Sequence, residues 1–168
     1  MGPELTALLL TLLLVAAVSA LIRRGWAGRV RRQAGIAPPP EPPAGLAQRE
    51  PRLAVPGMYV CTTEAGAPLE RIAAHGLGVR ARATALVHDE GVLYDRDGAG
   101  PLFVPAADVV AVGTSSGMVG KFVEQNGLAV LTWSLGTTRV DTGFRTQHAE
   151  DQRRFLAAVE AIAPAPRP

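Results

Sequence analysis

Val79-Arg80-Ala81-Arg82-Ala83-Thr84-Ala85-Leu86-Val87, followed by the turn Asp89-Glu90-Gly91 and then Val92-Leu93-Tyr94, decides the fold. Arg80, Arg82 and Thr84 alternate with Ala81, Ala83 and Ala85, the two-residue period of a half-buried strand. Working upstream, Met58 to Thr63 is a short β-prone run. Pro68 to Ala74 reads as a brief helix, with proline near its start and Gly76 past its end. Downstream, Leu102 to Val104 and Val109 to Val112 are two further apolar runs. Lys121 to Gln125, Asn126-Gly127 and Leu128 to Trp133 give the clearest hairpin signal, because Asn-Gly favours the positive φ angles of a type I′ turn. Thr138 to Thr142 is the last strand candidate. A helix follows from about Gln147 to Ala163, with Phe155, Val159 and Ile162 at spacings of four and three. Leu156 widens that stripe, while Arg153, Arg154 and Glu160 lie off it. Thr146 is expected as its N-cap, Glu150 and Asp151 suit its first turns, and Pro164 closes it. Short antiparallel strands followed by one amphipathic helix make an α+β pattern, with the helix expected to cover the open end of a bent sheet or partly open barrel. There are no internal repeats of solenoid length.

Far upstream, Leu5 to Ile22 is apolar apart from Thr6, Thr11 and Ser19. As a helix this run spans roughly 27 Å, close to the hydrocarbon core of a bilayer. A cleaved secretory signal carries positive charge before its apolar region, whereas here Met1-Gly2-Pro3-Glu4 holds an acid and no base. Val18-Ser19-Ala20 offers small residues for cleavage, but the basic residues Arg23, Arg24, Arg29, Arg31 and Arg32 come after the span. That bias predicts a single-pass anchor in the cell (inner) membrane, N-terminus outside and C-terminal domain in the cytoplasm. Trp26 fits an interfacial position. The dense prolines of Pro38-Pro39-Pro40-Glu41-Pro42-Pro43 suggest a semi-rigid polyproline spacer. The expected domains are therefore an anchor with its basic flank (1–32), a proline-rich linker (33–55), a β-rich domain with its helix (56–163) and a tail (164–168).

The chain of 168 residues carries a formal charge of +2, unevenly divided. Residues 1–50 hold six arginines against Glu4, Glu41 and Glu50; residues 51–168 hold eleven bases against twelve acids. The near-neutral second part lacks the basic footprint that binding to nucleic acid requires. Cys61 is the only cysteine, so an intrachain disulfide is excluded, which suits a reducing compartment. Sixteen arginines stand against one lysine, Lys121, a bias expected of a high-GC genome.

The element order resembles a pleckstrin-homology (PH)-like domain, with about seven antiparallel strands and a C-terminal helix. His75-Gly76-Leu77-Gly78-Val79-Arg80, Asp89-Glu90-Gly91-Val92-Leu93, Phe103-Val104-Pro105-Ala106-Ala107-Asp108 and Asp141-Thr142-Gly143-Phe144-Arg145 resemble small single-pass membrane proteins of high-GC Gram-positive bacteria. Those proteins carry a bacterial PH-like domain and are often labelled membrane or transporter-like protein. The resemblance implies a fold and a membrane location and brings no reaction. One hydrophobic span is too little for an alternating-access pathway.

Four motifs look chemical. Gly76-Leu77-Gly78-Val79-Arg80-Ala81 fits a relaxed dinucleotide fingerprint, but it enters a strand where that fingerprint must open a helix. Gly113-Thr114-Ser115-Ser116-Gly117 matches a serine elbow, with Asp141 and His148 following in order, yet leaves little room for the required helix. Asp141-Thr142-Gly143 is the aspartic-protease triplet, with Phe144 where a small residue belongs. His88-Asp89-Glu90, His75 and His148 lack the spacing of a zinc site. The expectation is a non-enzyme with no catalytic residues, cofactor or metal. The lipid bilayer is one partner, through the N-terminal helix, and an unknown protein or a second copy is the other. The alternatives are an anionic-lipid sensor, or a tethered hydrolase using Ser115 or Asp141. The candidate interaction residues are Arg80, Arg82, Asn126, Phe144 and Arg145, with Trp133 expected in the core.

Overall fold

A computed structural model describes residues 2–33, 35–119, 121–122 and 126–164. The chain divides into two units, Met1–Gly35 and Ile36–Pro168.

The first unit is a single helix, α1 (Pro3–Arg32). Within it Ala7–Gly25, 19 residues, is long and apolar enough to cross a membrane, and none of it is buried. Its limits fall two and three residues beyond the expected Leu5 and Ile22. Leu8 to Ile22 expose their side chains along this stretch, which is consistent with a membrane anchor. The Thr11 hydroxyl donates to the Ala7 carbonyl at 2.8 Å, so the polar group is satisfied within the helix. Arg23 and Arg24 are exposed. The side chains of Leu5, Trp26, Arg29, Arg31 and Arg32 lie outside the described residues.

Among the described residues the second unit holds ten strands: β1 (Leu53–Glu64), β2 (Ala67–Arg71), β3 (Ala81–His88), β4 (Gly91–Arg96), β5 (Leu102–Pro105), β6 (Val109–Ser115), β7 (Gly117–Met118), β8 (Lys121–Phe122), β9 (Leu128–Leu135) and β10 (Thr138–Thr146). Helix α2 (Ala149–Ile162) closes the chain's architecture. The main sheet runs β5-β4-β3-β1-β10-β9-β6, with β2 added alongside β1, and β7 pairs with β8 separately. Every pairing is antiparallel. The α+β expectation holds: an open antiparallel sheet followed by a helix. Strand β1 is the hinge of this sheet. Its first half, Leu53 to Tyr59, pairs with β3, whereas Gly57 to Glu64 pairs with β10. The β1–β10 register shifts between Tyr59 and Cys61, and such a bulge bends and twists the strand where it passes from one neighbour to the other.

Inside the bend, α2 inserts Phe155 and Val159, both fully buried. Phe155 meets Phe144 at 5.5 Å and Tyr94 at 6.5 Å between ring centroids, and Tyr94 meets Tyr59 at 6.0 Å. A one-way chain of hydrogen bonds crosses the same core. Trp133 Nε1–H donates to Thr142 Oγ1 (2.9 Å), and the Tyr59 hydroxyl donates to the Leu77 carbonyl (2.7 Å). The intervening Thr142–Thr62 (2.8 Å) and Thr62–Tyr59 (2.7 Å) contacts are then ordered by proton count, each hydroxyl having one proton to give. Thr142 donates to Thr62, and Thr62 to Tyr59. Arg96 stacks over the Tyr59 ring at 4.7 Å and donates to the carbonyls of Gly76 and Gly100, pinning the loop that enters β3. Trp133 is in the core, as expected.

Tyr94 is different. Its hydroxyl is buried with no partner among the described residues, and burial pushes its ionisation far above the usual phenol range. Tyr94→Phe keeps the ring and removes the unpaired group. It is expected to leave stability unchanged or raise it by about 1 kcal/mol. A urea midpoint moved downwards would instead mean that ordered water satisfies the hydroxyl.

Four local expectations are corrected. Pro68 to Ala74 is not a helix: Gly66, at φ +75°, turns the chain so that β2 pairs back on β1, and a 3-10 turn follows at Ala74–Gly76. Proline is tolerated in β2 because this strand pairs on one side only. Among the described residues no hairpin forms across Asn126-Gly127. Strand β8 pairs with β7, and β9 lies between β10 and β6. Asn126 has φ +60°, but Gly127 is not in the positive-φ region that a type I′ turn needs at both positions. Residues 123–125 of that expectation lie outside the described residues. The N-cap of α2 is His148, whose carbonyl accepts from the Thr146 hydroxyl. Finally, the proline-rich stretch is not wholly a spacer. Ile36 and Ala37 pack on the main core, and Leu46 is buried against Leu93 and Phe103 on the outer side of the sheet. Arg49 pairs with Glu90 at 2.6 Å, and Arg52 with Asp89. Glu90 is held below the usual carboxylate range by its own backbone N–H and then by Arg49. Exposed pairs of this kind fix register more than they stabilise. Leu53 to Val55 then already belong to β1.

Candidate functional site

The alternation of β3 sends Ala81, Ala83, Ala85 and Val87 into the core and leaves Arg82 outside, with Arg80 exposed just before the strand. Pairing extends this outer face sideways. Met58 of β1 stands opposite Arg82 on one side and Arg145 of β10 on the other. One row further, Pro56 faces Thr84, and Thr84 faces Asp95 of β4. Asp97 follows, its N–H donating to the Arg82 carbonyl. The result is an open groove of about 630 Å³ with Met58 and Pro56 on its floor, and with Arg80, Arg82, Arg145, Asp95 and Asp97 around it. Three guanidinium groups against two carboxylates make its charge mixed and only slightly positive.

The structure therefore brings together Arg80, Arg82 and Arg145. It separates the other two candidates from them. Phe144 is fully buried in the aromatic core and presents nothing to a partner; it immediately precedes Arg145 on β10, where neighbours point to opposite faces. Asn126 lies near the start of α2, its carbonyl accepting from Gln152 and its N–H donating to Ser116 Oγ. Sequence reasoning missed Asp95 and Asp97. Their signal was the two-residue period counted forward from the turn at Asp89-Glu90, which needs the β3–β4 register to become useful.

The motifs that looked chemical have structural employment. Gly76 lies in a 3-10 turn leading to a strand, so no helix N-terminus is available for a pyrophosphate. Ser115 is on β6, its hydroxyl donating to the Gly117 carbonyl at 2.8 Å and accepting from the Gly117 N–H. Asp141 accepts from Thr132 (2.6 Å) and from the Gly66 N–H (3.1 Å). Ser115 and Asp141 line one shallow depression, and His148 is not among the described residues that line it. Thr142 of the Asp-Thr-Gly triplet belongs to the buried hydrogen-bond chain. Among the described residues no group of His, Cys, Asp and Glu could hold a metal ion. Cys61 is buried beside Met118 and Leu128, and burial raises its thiol pKa, which works against a reactive thiolate.

The chain matches the model of the Bacterial PH domain-like family over residues 36–160 and belongs to that family. The match begins at Ile36, where the second unit begins, and includes the docked proline-rich segment. None of the curated proteins compared with the chain matches it. PH-like domains are generally non-catalytic.

Proposed function

We infer that this is a non-enzymatic, single-pass protein of the cell (inner) membrane whose PH-like domain works in the cytoplasm as a protein-interaction or scaffolding module. The observation that carries the reading is the joining of a PH-like domain to one exposed helix of membrane-spanning length. The arginines that follow the span support an outside N-terminus and a cytoplasmic domain. The excess of arginine over lysine supports a high-GC Gram-positive source. The groove offers a partner what a polar recognition surface requires, an apolar floor and charges of both signs that fix orientation. Recognition of anionic lipid headgroups is the second reading, favoured by Arg80, Arg82 and Arg145 and opposed by the two aspartates beside them. The hydrolase reading is favoured only by the shared depression of Ser115 and Asp141, and is opposed by the hydrogen bonds that already engage both side chains.

Topology tests the first reading. A fluorescent protein or a periplasm-active phosphatase is fused after Pro168 in separate chains. The expected result is fluorescence with a silent phosphatase. An active phosphatase would put the domain outside and make the arginine argument wrong.

A further inference from the structure

We propose that two copies of this chain pair through strand β6, edge to edge and antiparallel, about a two-fold axis at Gly113. This deepens the scaffolding reading and rests on it, naming a second copy as the partner and β6 as the surface.

Apart from the short β2, which carries Pro68 and pairs with β1 alone, the main sheet ends in two edge strands, and they are unequal. Strand β5 is four residues long and ends on Pro105, both of which protect an edge against addition of another strand. Strand β6 is longer, pairs with β9 alone among the described residues, and carries neither charge nor proline from Val109 to Ser115. Its register shifts between Val109 and Ala111, which leaves Ala111 to Ser115 as the regular part of the free edge. Ala111, Gly113 and Thr114 are exposed, and a Cβ built on Gly113 would meet nothing within 4 Å. The same segment borders the shallow depression shared with Pro68 and Asp141, so its outer face is open among the described residues.

The strand is complementary to itself. A two-fold axis at Gly113 sets Val112 opposite Thr114 and Ala111 opposite Ser115. Val and Thr are both β-branched and pack well across strands, and no like charges meet. A heterologous peptide would find no charge here to select it, whereas self-pairing closes both edges in one isologous contact. Five residues of ladder are too few for a stable dimer in solution. Confinement by a shared membrane supplies the effective concentration that the contact lacks.

The test is disulfide cross-linking of the full chain in isolated membranes, with Cys61→Ala removing the native thiol. Gly113→Cys places a thiol on the axis, opposite its own copy. Ala111→Cys places two thiols about four residues apart along the strands, roughly 13 Å and beyond disulfide reach. The expected result on mild oxidation is a homodimer from Gly113→Cys, several-fold more abundant than from Ala111→Cys. Adding Thr114→Lys to Gly113→Cys should lower the yield, since an edge lysine opposes pairing. Equal yields at 111 and 113, monomer alone, or a cross-link to a different protein would each overturn the proposal. A chain that fractionates with membranes and keeps a silent phosphatase fusion, yet fails to cross-link, overturns the strand pairing and leaves the topology reading standing.

Discussion

Phe155→Ala is expected to cost about 3–5 kcal/mol, the range for truncating a buried aromatic. Phe155 is the residue by which α2 reaches the core: it is fully buried and touches the Phe144 and Tyr94 rings, while Val159 adds the next turn of the same face. Truncation leaves a cavity bounded by strands whose ladders hold them in place, so collapse is limited. A domain of this size has only about 5–15 kcal/mol in hand. The melting temperature should fall by roughly 10–20 °C, with early loss of near-ultraviolet dichroism from the aromatic cluster. Leu156→Ala, one residue along but only half-buried, should cost clearly less. Equal losses at the two positions would mean that helix propensity, not the seal made by Phe155, decides the stability.

That helix was legible because its signal is local and periodic: Phe155, Val159 and Ile162 mark the face that the sheet then covers. The β3 alternation was legible for the same reason, and with it the outward placement of Arg80 and Arg82. What failed were features decided by distant partners. Asn126-Gly127 carries a hairpin signal, yet β9 takes its neighbours from residues that precede and follow that turn, β6 and β10. Pro68 looks like a helix start because proline at a first turn and proline on an edge strand share a local signature. Leu46 was hidden as one apolar side chain among prolines, and its burial depends on Leu93 and Phe103, more than forty residues away. The groove shows the same division. Arg145 joins Arg82 only because Met58 lies between them across two ladders, and Asp95 enters only through its pairing with Thr84. Phe144 and Arg145 could have been told apart from sequence, since consecutive strand residues face opposite ways.

Gly57→Ala is expected to cost about 3 kcal/mol, at the upper end for overpacking a core, although it adds one methyl group. An added Cβ would stand 2.3 Å from the Arg145 carbonyl oxygen and 2.7 Å from Phe144 Cζ. The position cannot yield, because Gly57 pairs with Thr146 of β10 and with Ala83 of β3 at once. It sits where β1 is held on both sides, and moving β10 away would break the ladder that places Arg145 beside Met58. The two clashes can be separated. Phe144→Leu in the Gly57→Ala chain removes the ring tip and leaves the carbonyl, so most of the loss should persist if backbone contact dominates. Recovery of stability in that double variant would assign the penalty to the ring instead. Gly113→Ala is the matching control, with open space at its Cβ, and its denaturation midpoint should stay close to that of the unmodified chain. A glycine required by strand-to-strand contact at the hinge and a glycine without such a contact at the edge thus give opposite outcomes for the same substitution. If both proved neutral, β1 and β10 would have to lie farther apart at Gly57 than the fold described above allows.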